Sequence, residues 1–202
     1  MIHLITGGSA SGKSVYGEQM AEEAKGRYRY YLATMRPWGE EGKARVARHR
    51  QQRLGKGFHT IEVYRNLETV VLPKRPVKEK EAVSEAGLWK NTVILLECMS
   101  NLVANELFEE GGTDEEILGR IQRGIWHLQD CAAIVIIITN EVFSDGCFYE
   151  AETMRYIRLL GQINRELAAM ADQVTEVVYG IPLHLKGGGL SPVEDRKASR
   201  SV

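Results

Sequence analysis

No two of the three cysteines, Cys98, Cys131 and Cys147, form a C-x-x-C pair. The chain therefore carries neither a zinc-site spacing nor a disulfide framework, and an odd count favours reduced thiols. The N-terminus lacks the basic region and long apolar run of a secretory leader, because glycines begin directly after Thr6. The longest apolar run, "CAAIVIIIT", falls well short of the roughly 20 residues a membrane-spanning helix needs, and suits a buried strand. An excess of charge of one sign is missing too. Lysine and arginine number 26 against 27 acidic residues, a formal net charge of -1. No global field would draw in nucleic acid or an anionic membrane. A cytoplasmic protein with no membrane span and no nucleic-acid partner is expected.

What is present is an alternation of short β-branched runs with longer amphipathic segments. Strands are expected at 2–6, 28–33, 60–63, 92–97, 132–139 and 175–179, with 183–186 closing the set. "TVILLE" and "AIVIIIT" are apolar on both faces, as central strands covered by helices must be. Ile117, Leu118, Ile121, Ile125 and Leu128 recur at helical spacing, as do Met154, Ile157, Leu160, Ile163, Leu167 and Met170. Both stripes read as core faces without chemistry. Strands separated by helices predict an α/β fold with a mostly parallel, doubly wound sheet and helices on both faces. Residues 73–90, charged and holding two prolines, read as a surface excursion. Residues 1–186 are expected to form one domain, and the glycine-, serine- and charge-rich 187–202 a disordered tail.

Gly7 to Ser14, "GGSASGKS", match G-x-x-x-x-G-K-S/T without a gap. Glycines let the backbone turn so that successive N–H groups face phosphate oxygens, and the following helix aims its positive dipole end at the same point. Lys13 would neutralise the terminal phosphates, and the Ser14 hydroxyl would ligate Mg²⁺. A strand before and a helix after distinguish this from an ordinary glycine turn. The fold expected is that of a phosphate-loop NTPase of the RecA-like kind. Glu97, closing "TVILLE", is the expected acidic partner for the metal; its plainer reading is a strand-end carboxylate facing solvent.

A second constellation is "EGKARVARHRQQRLGKGF". If helical, it sets Arg45, His49 and Arg53 on one face. Neighbouring positive charge disfavours protonation of the imidazole. A neutral imidazole is a nucleophile towards phosphorus, and guanidinium groups beside it could hold the phosphate attacked. The alternative is a solvated basic face, the commoner meaning of a charge run. His3, His59, His127 and His184 read as structural, with no metal-ligand spacing among them.

Together these segments resemble the bifunctional adenosylcobinamide kinase/adenosylcobinamide-phosphate guanylyltransferases of cobalamin assembly. The matching pieces are "ITGGSASGKS", "YYLAT", "RVARHRQQR", "HTIE", "VILLECMSNLVANELF", "TNEV" and "GQINRELAAMADQVTEVVYGIPLHLK", in the family's order and up to Lys186. The resemblance implies that His49 is the histidine that becomes guanylylated. It implies that Gly7, Gly8, Ser9, Ala10, Ser11, Gly12, Lys13 and Ser14 take the triphosphate of GTP or ATP. Ala33, Thr34 and Met35 would line the nucleotide site, Arg50, Gln51, Gln52 and Arg53 would help hold GTP, and Glu62 and Glu97 would serve nucleotide binding, Glu97 being with Ser14 the expected Mg²⁺ pair. A corrinoid would be the acceptor, and the assembly would be a homotrimer.

Three stretches depart from the family pattern. Ala10 stands where an arginine is usual, "FSDGCFYEAE" follows "TNEV" in place of glycines and a proline, and "MRPWGEEGKAR" precedes the histidine. The guanylyl-carrying part is thus better matched than the acceptor part. Two other readings use the same loop: a metabolite kinase in which His49 has no role, and a nucleotide-binding relative without catalysis.

Overall fold

The computed structural model describes residues 1–24, 28–73, 90–142 and 149–187, and omits the side chains of Glu41, Arg45 and Gln52. The 73–90 excursion, apart from its two ends, lies outside the described residues. So do 188–202 of the expected tail and 143–148 after Val142, Cys147 included.

Among the described residues seven strands form one sheet: β1 (Ile2–Thr6), β2 (Tyr28–Ala33), β3 (Phe58–Glu62), β4 (Thr92–Glu97), β5 (Ile134–Ile138), β6 (Gln173–Val178) and β7 (Ile181–Lys186). Their order is β3-β2-β4-β5-β1-β6-β7. Every neighbouring pair is parallel except β6 with β7. The expected mostly parallel sheet is thus present, with a hairpin at one edge. Strand ends differ from expectation in β3, β5, β6 and β7. β3 begins two residues earlier, β5 is trimmed at both ends, and β6 runs 173–178 rather than 175–179. β7 starts at Ile181, because the β6–β7 turn closes on Tyr179 and Gly180, both at positive φ (52° and 79°).

Alternation along the strands divides the core into two layers. Ile5, Tyr31, Val93, Leu95, Ile136 and Ile138 face α1 (Lys13–Glu23), whose Ala21 and Met20 pack on them. On the other face Leu4, Leu32, Ile94, Leu96, Val135 and Ile137 meet α3 (Met99–Asn105), α4 (Asp114–Cys131) and α5 (Ala151–Met170). Ile117, Ile121, Ile125 and Leu128 of α4 are fully or almost fully buried, each worth about 1.5–3 kcal/mol relative to exposure. A capping box starts α4: Thr113 Oγ1 accepts from the Glu116 N–H (3.2 Å) and Glu116 Oε2 accepts from the Thr113 N–H (2.9 Å). In α5 the buried residues are Leu159, Leu160, Ile163 and Leu167, while Met154, Ile157 and Met170 are half-buried. Between α3 and α4 the chain makes one π-helical stretch, Glu106–Glu110, held by the buried Glu106 carboxylate, which accepts from Arg120 Nε (2.9 Å) and the Asn66 N–H (2.7 Å).

The histidine segment is indeed helical, α2 (Gly39–Gln52), with Arg53 as its C-cap rather than within it. Each of the four other histidines, expected to be structural, makes a contact within the fold. His3 Nε2 pairs with Thr175 Oγ1 (2.8 Å), which also pairs with His184 Nδ1 (3.1 Å); His59 packs edge-on to Tyr30, and His127 Nε2 bonds the Val70 carbonyl (2.8 Å). Cys98 and Cys131 are free thiols. No helix among the described residues is long and apolar enough to cross a membrane.

Candidate active site

The carboxyl ends of β1, β2, β4 and β5 meet at one edge of the sheet, the place where open α/β sheets bind ligands. The loop after β1 fills that edge. Two of its glycines are required by close approach, whereas a Cβ at Gly8 would meet nothing within 4 Å. A Cβ at Gly7 (φ +153°) would lie 2.5 Å from the Val177 carbonyl oxygen, and one at Gly12 (φ +95°) 3.2 Å from Gly180 Cα. Ala10 also has positive φ, 58°, where a side chain is unusual. Lys13 opens α1, is only 7% exposed, and donates from Nζ to the Gly8 carbonyl (2.8 Å). Burial lowers the pKa of its ammonium, with Cys98 and Glu97 pulling the other way. The charge of an arriving phosphate would offset the cost of that desolvation.

Glu97 is held at both oxygens. Ser14 Oγ donates to Oε1 (2.5 Å) and Tyr31 Oη to Oε2 (2.9 Å). Burial, and secondarily the Glu97 charge, push the Tyr31 phenol well above its usual pKa, so it stays a donor. The hydroxyl and carboxylate oxygens of Ser14 and Glu97 are hard donors of the kind Mg²⁺ takes, so these residues fit that ion. The plainer solvent-facing reading of Glu97 does not describe this carboxylate.

One cleft joins the loop to α2. Ser9, Lys13 and Ser14 line one side, Ala33 and Met35 the end of β2, and Glu62 and Glu97 the ends of β3 and β4. His49, Arg50 and Arg53 form the opposite wall. Arg50 forms an ion pair with Glu62, which also accepts from Tyr64 Oη (2.8 Å). Arg53 is 7% exposed, its guanidinium carbon lies 3.5 Å from the centre of the Tyr31 ring, and its Nε and Nη1 have no hydrogen-bond partner among the described residues. Buried cationic donors without partners are costly, and a phosphate would satisfy them.

Other expected residues stand apart from the cleft wall. Gly7, Gly8, Ala10, Ser11 and Gly12 supply the backbone of the loop. Thr34 is fully buried behind the site; its hydroxyl donates to the Cys98 carbonyl (2.8 Å) and accepts from the Cys98 N–H (2.7 Å), so it ties β2 to β4. Gln51 is exposed, and Gln52 has no described side chain. Conversely, Tyr31, Thr60, Tyr64, Cys98, Asn101 and Asn140 also line the cleft and are not singled out by local pattern. Asn140 lies in "TNEV", and its Nδ2 donates to Ser100 Oγ (2.7 Å), while Thr139 Oγ1 donates to Asn164 Oδ1 (2.7 Å) in the segment that begins "GQIN". These two motifs therefore brace each other beneath the site.

A phosphate loop between a central parallel strand and a helix, with an acidic strand end beside its serine, defines a phosphate-loop nucleoside triphosphate-binding fold. A solved structure of a prototypical ATPase from a bacterial type III secretion system shares this architecture. Its TM-score is 0.50 at 11% identity, covering 87% of this chain and 50% of that one. The sequence family described as cobinamide kinase / cobinamide phosphate guanyltransferase matches residues 3–185, and the chain belongs to that family. It is 32% identical to the bifunctional adenosylcobalamin biosynthesis protein CobU of Escherichia coli (strain K12) and 33% identical to that of Salmonella typhimurium, in each case across 92% of this chain and 100% of the relative. A Pseudomonas aeruginosa relative, CobP, is 27% identical over 93% of the chain.

Proposed function

We infer that this protein is a bifunctional enzyme of cobalamin biosynthesis, phosphorylating cobinamide and then transferring GMP from GTP to the cobinamide phosphate. The observation that carries this reading is that His49 and Lys13, on different elements, border the same cleft.

In the kinase step, the aminopropanol hydroxyl oxygen of adenosylcobinamide attacks the γ-phosphorus of ATP or GTP. The bond to the β-phosphate bridging oxygen breaks, and the hydroxyl proton is released. Lys13 and the loop N–H groups hold the phosphates and offset the charge accumulating on them. Mg²⁺, held by Ser14 and Glu97, would supply further charge compensation.

In the transfer step, an imidazole nitrogen of His49 attacks the α-phosphorus of GTP with its lone pair. A P–N bond forms, and the α–β bridging oxygen leaves with its electron pair as pyrophosphate. Arg53 and Arg50 orient the α-phosphate. A phosphate oxygen of cobinamide phosphate then attacks the same phosphorus, the P–N bond breaks, and the imidazole returns to its starting state. Transfer in two halves gives ping-pong kinetics.

Residues 1–186 act as one catalytic domain. The homotrimer that the family resemblance implies is supported by Tyr179, Ile181, Leu183 and Leu185, which leave exposed apolar surface along the edge hairpin.

The test is incubation with GTP labelled at the α- or γ-phosphate, for wild type and His49→Ala. Wild type should retain α-label but not γ-label, in acid-labile form, and His49→Ala should retain neither while still phosphorylating cobinamide. Undiminished α-labelling of His49→Ala would exclude the histidine, and no labelling of wild type would favour a plain kinase.

A further inference from the structure

Beside the nucleotide cleft runs a second, wider groove that the mechanism above does not use. Met35, Arg36, Trp38, Asn101, Asn105 and Phe108 line it. Its volume of about 530 Å³, against about 220 Å³ for the cleft, falls within the ~300–1,000 Å³ of small-molecule sites. Two of its aromatic side chains are left in the open, Trp38 at 73% and Phe108 at 56% exposure. A tryptophan held this far into solvent loses the gain its burial would bring.

The groove is built, not incidental. Phe108 rides on the π-helical stretch that the buried Glu106–Arg120 pair fixes, and its ring stands 6.4 Å from Tyr156. Arg36 is fixed by Glu109 (2.8 Å) and by the face of Tyr64 (4.8 Å). Asn105 Nδ2 donates to the carbonyls of Thr34 and Tyr64, both at 2.9 Å, which anchors the far wall to the end of β2. Trp38 caps the N-terminus of α2, and Gly42 packs against Pro37 so closely that a Cβ would lie 3.2 Å from its carbonyl carbon.

Two residues, Met35 and Asn101, line both the groove and the cleft. The groove and the cleft are therefore adjacent, with these two residues at their common border. α2 borders both spaces, Trp38 at its start and His49 near its end, and 11 residues of helix separate them by about 16 Å. An acceptor lodged here would need its reactive oxygen on a flexible arm. Apolar aromatic surface together with amide and guanidinium groups suits a broad macrocycle fringed with carboxamides.

We propose that this groove, walled by Trp38 and Phe108, is the corrinoid acceptor subsite, presenting the aminopropanol arm to the nucleotide across Met35 and Asn101. The assignment rests on the cobinamide reading given above. It also gives a purpose to the unusual "MRPW" segment, which supplies one wall.

Equilibrium dialysis of adenosylcobinamide, followed by its own visible absorbance, tests this with wild type, Trp38→Ala, Phe108→Ala and the conservative Phe108→Tyr. Both alanine variants should weaken corrinoid binding about tenfold or more, and Phe108→Tyr should restore most of it. Retention of α-label from GTP and the thermal midpoint should stay near wild type, because neither side chain borders the nucleotide cleft. Unchanged corrinoid affinity in both alanine variants overturns the proposal. The same holds if the variants change only the oligomeric mass, which would make the groove a contact between copies. Wild type that takes up GMP yet binds no corrinoid would overturn both the groove and the acceptor half of the functional reading. Wild type that turns over cobinamide normally while the variants also do so would overturn the groove alone.

Discussion

Arg53 offers the sharpest test of the nucleotide cleft, because its effects on the free and liganded protein have opposite signs. In the free protein two of its donor nitrogens are buried without partners among the described residues, and its contact with the Tyr31 ring is the visible compensation. A buried unsatisfied donor costs about 1–3 kcal/mol, and the ring contact returns about 0.5–2 kcal/mol. Replacing Arg53 with methionine, similar in length but without donors, should thus leave the free protein within about 1 kcal/mol of wild type, or slightly more stable. With GTP bound, two charge-assisted hydrogen bonds at about 1.5 kcal/mol each make a loss near 3 kcal/mol, roughly a hundredfold in affinity. At a GTP concentration a thousand times the wild-type Kd, ligand stabilisation is about 4.1 kcal/mol, and it falls to about 1.4 kcal/mol when Kd rises a hundredfold. At ~2–4 °C per kcal/mol for a chain of this size, Arg53→Met should forfeit about 5–11 °C of the GTP-induced rise in Tm. Thermal unfolding with and without GTP reads both quantities. A full GTP-induced shift in Arg53→Met would refute the reasoning. So would a large fall in the midpoint of the ligand-free variant, which would make the guanidinium a purely structural ion.

Two further outcomes concern the frame around the site. Burial, reinforced by His184, lowers the pKa of His3 to about 4. Between pH 4 and 6.5 the unfolded chain then binds the extra proton, so stability is full above 6.5 and falls by about 3 kcal/mol as pH drops to 4. Urea unfolding across that range should show the slope, and His3→Gln should flatten it. A Cβ on Gly124 would lie 2.4 Å from Leu67 Cβ; Gly124→Ala should therefore destabilise by about 1–3 kcal/mol in urea unfolding while GTP affinity is preserved.

The central strands are legible in the sequence because both of their faces are buried. In β1, β2 and β4 the expected and observed boundaries coincide. β3 pairs on one side only, and its residues are half-buried or exposed, so its composition carries little contrast and its start was displaced. The β6–β7 turn escapes notice for another reason. Tyr179–Gly180 adopts the positive φ values that Asn-Gly would advertise, and an aromatic at the first position disguises it. The phosphate loop is legible because every part of it is contiguous. Tyr31, Thr60, Asn101 and Asn140 reach the cleft only because β2, β3, β4 and β5 are neighbours, an arrangement that no local pattern encodes.

The histidine helix shows why the same charge run permits two readings from sequence. A helix that packs for stability carries an apolar stripe, and α4 does. α2 does not: none of its described residues is buried, and Val46 is only half-buried. It is held mainly at its ends, by Gly42 against Pro37 at one and by the buried Arg53 cap with the Arg50–Glu62 pair at the other. A merely solvated basic face would leave its terminal arginine in water. Here that arginine is buried on Tyr31 and lines the same cleft as Lys13, with two of its donor nitrogens unpartnered among the described residues. The cost is understandable if an anion completes the wall, so it is the burial of Arg53, more than the density of positive charge, that separates a binding helix from an ordinary basic one.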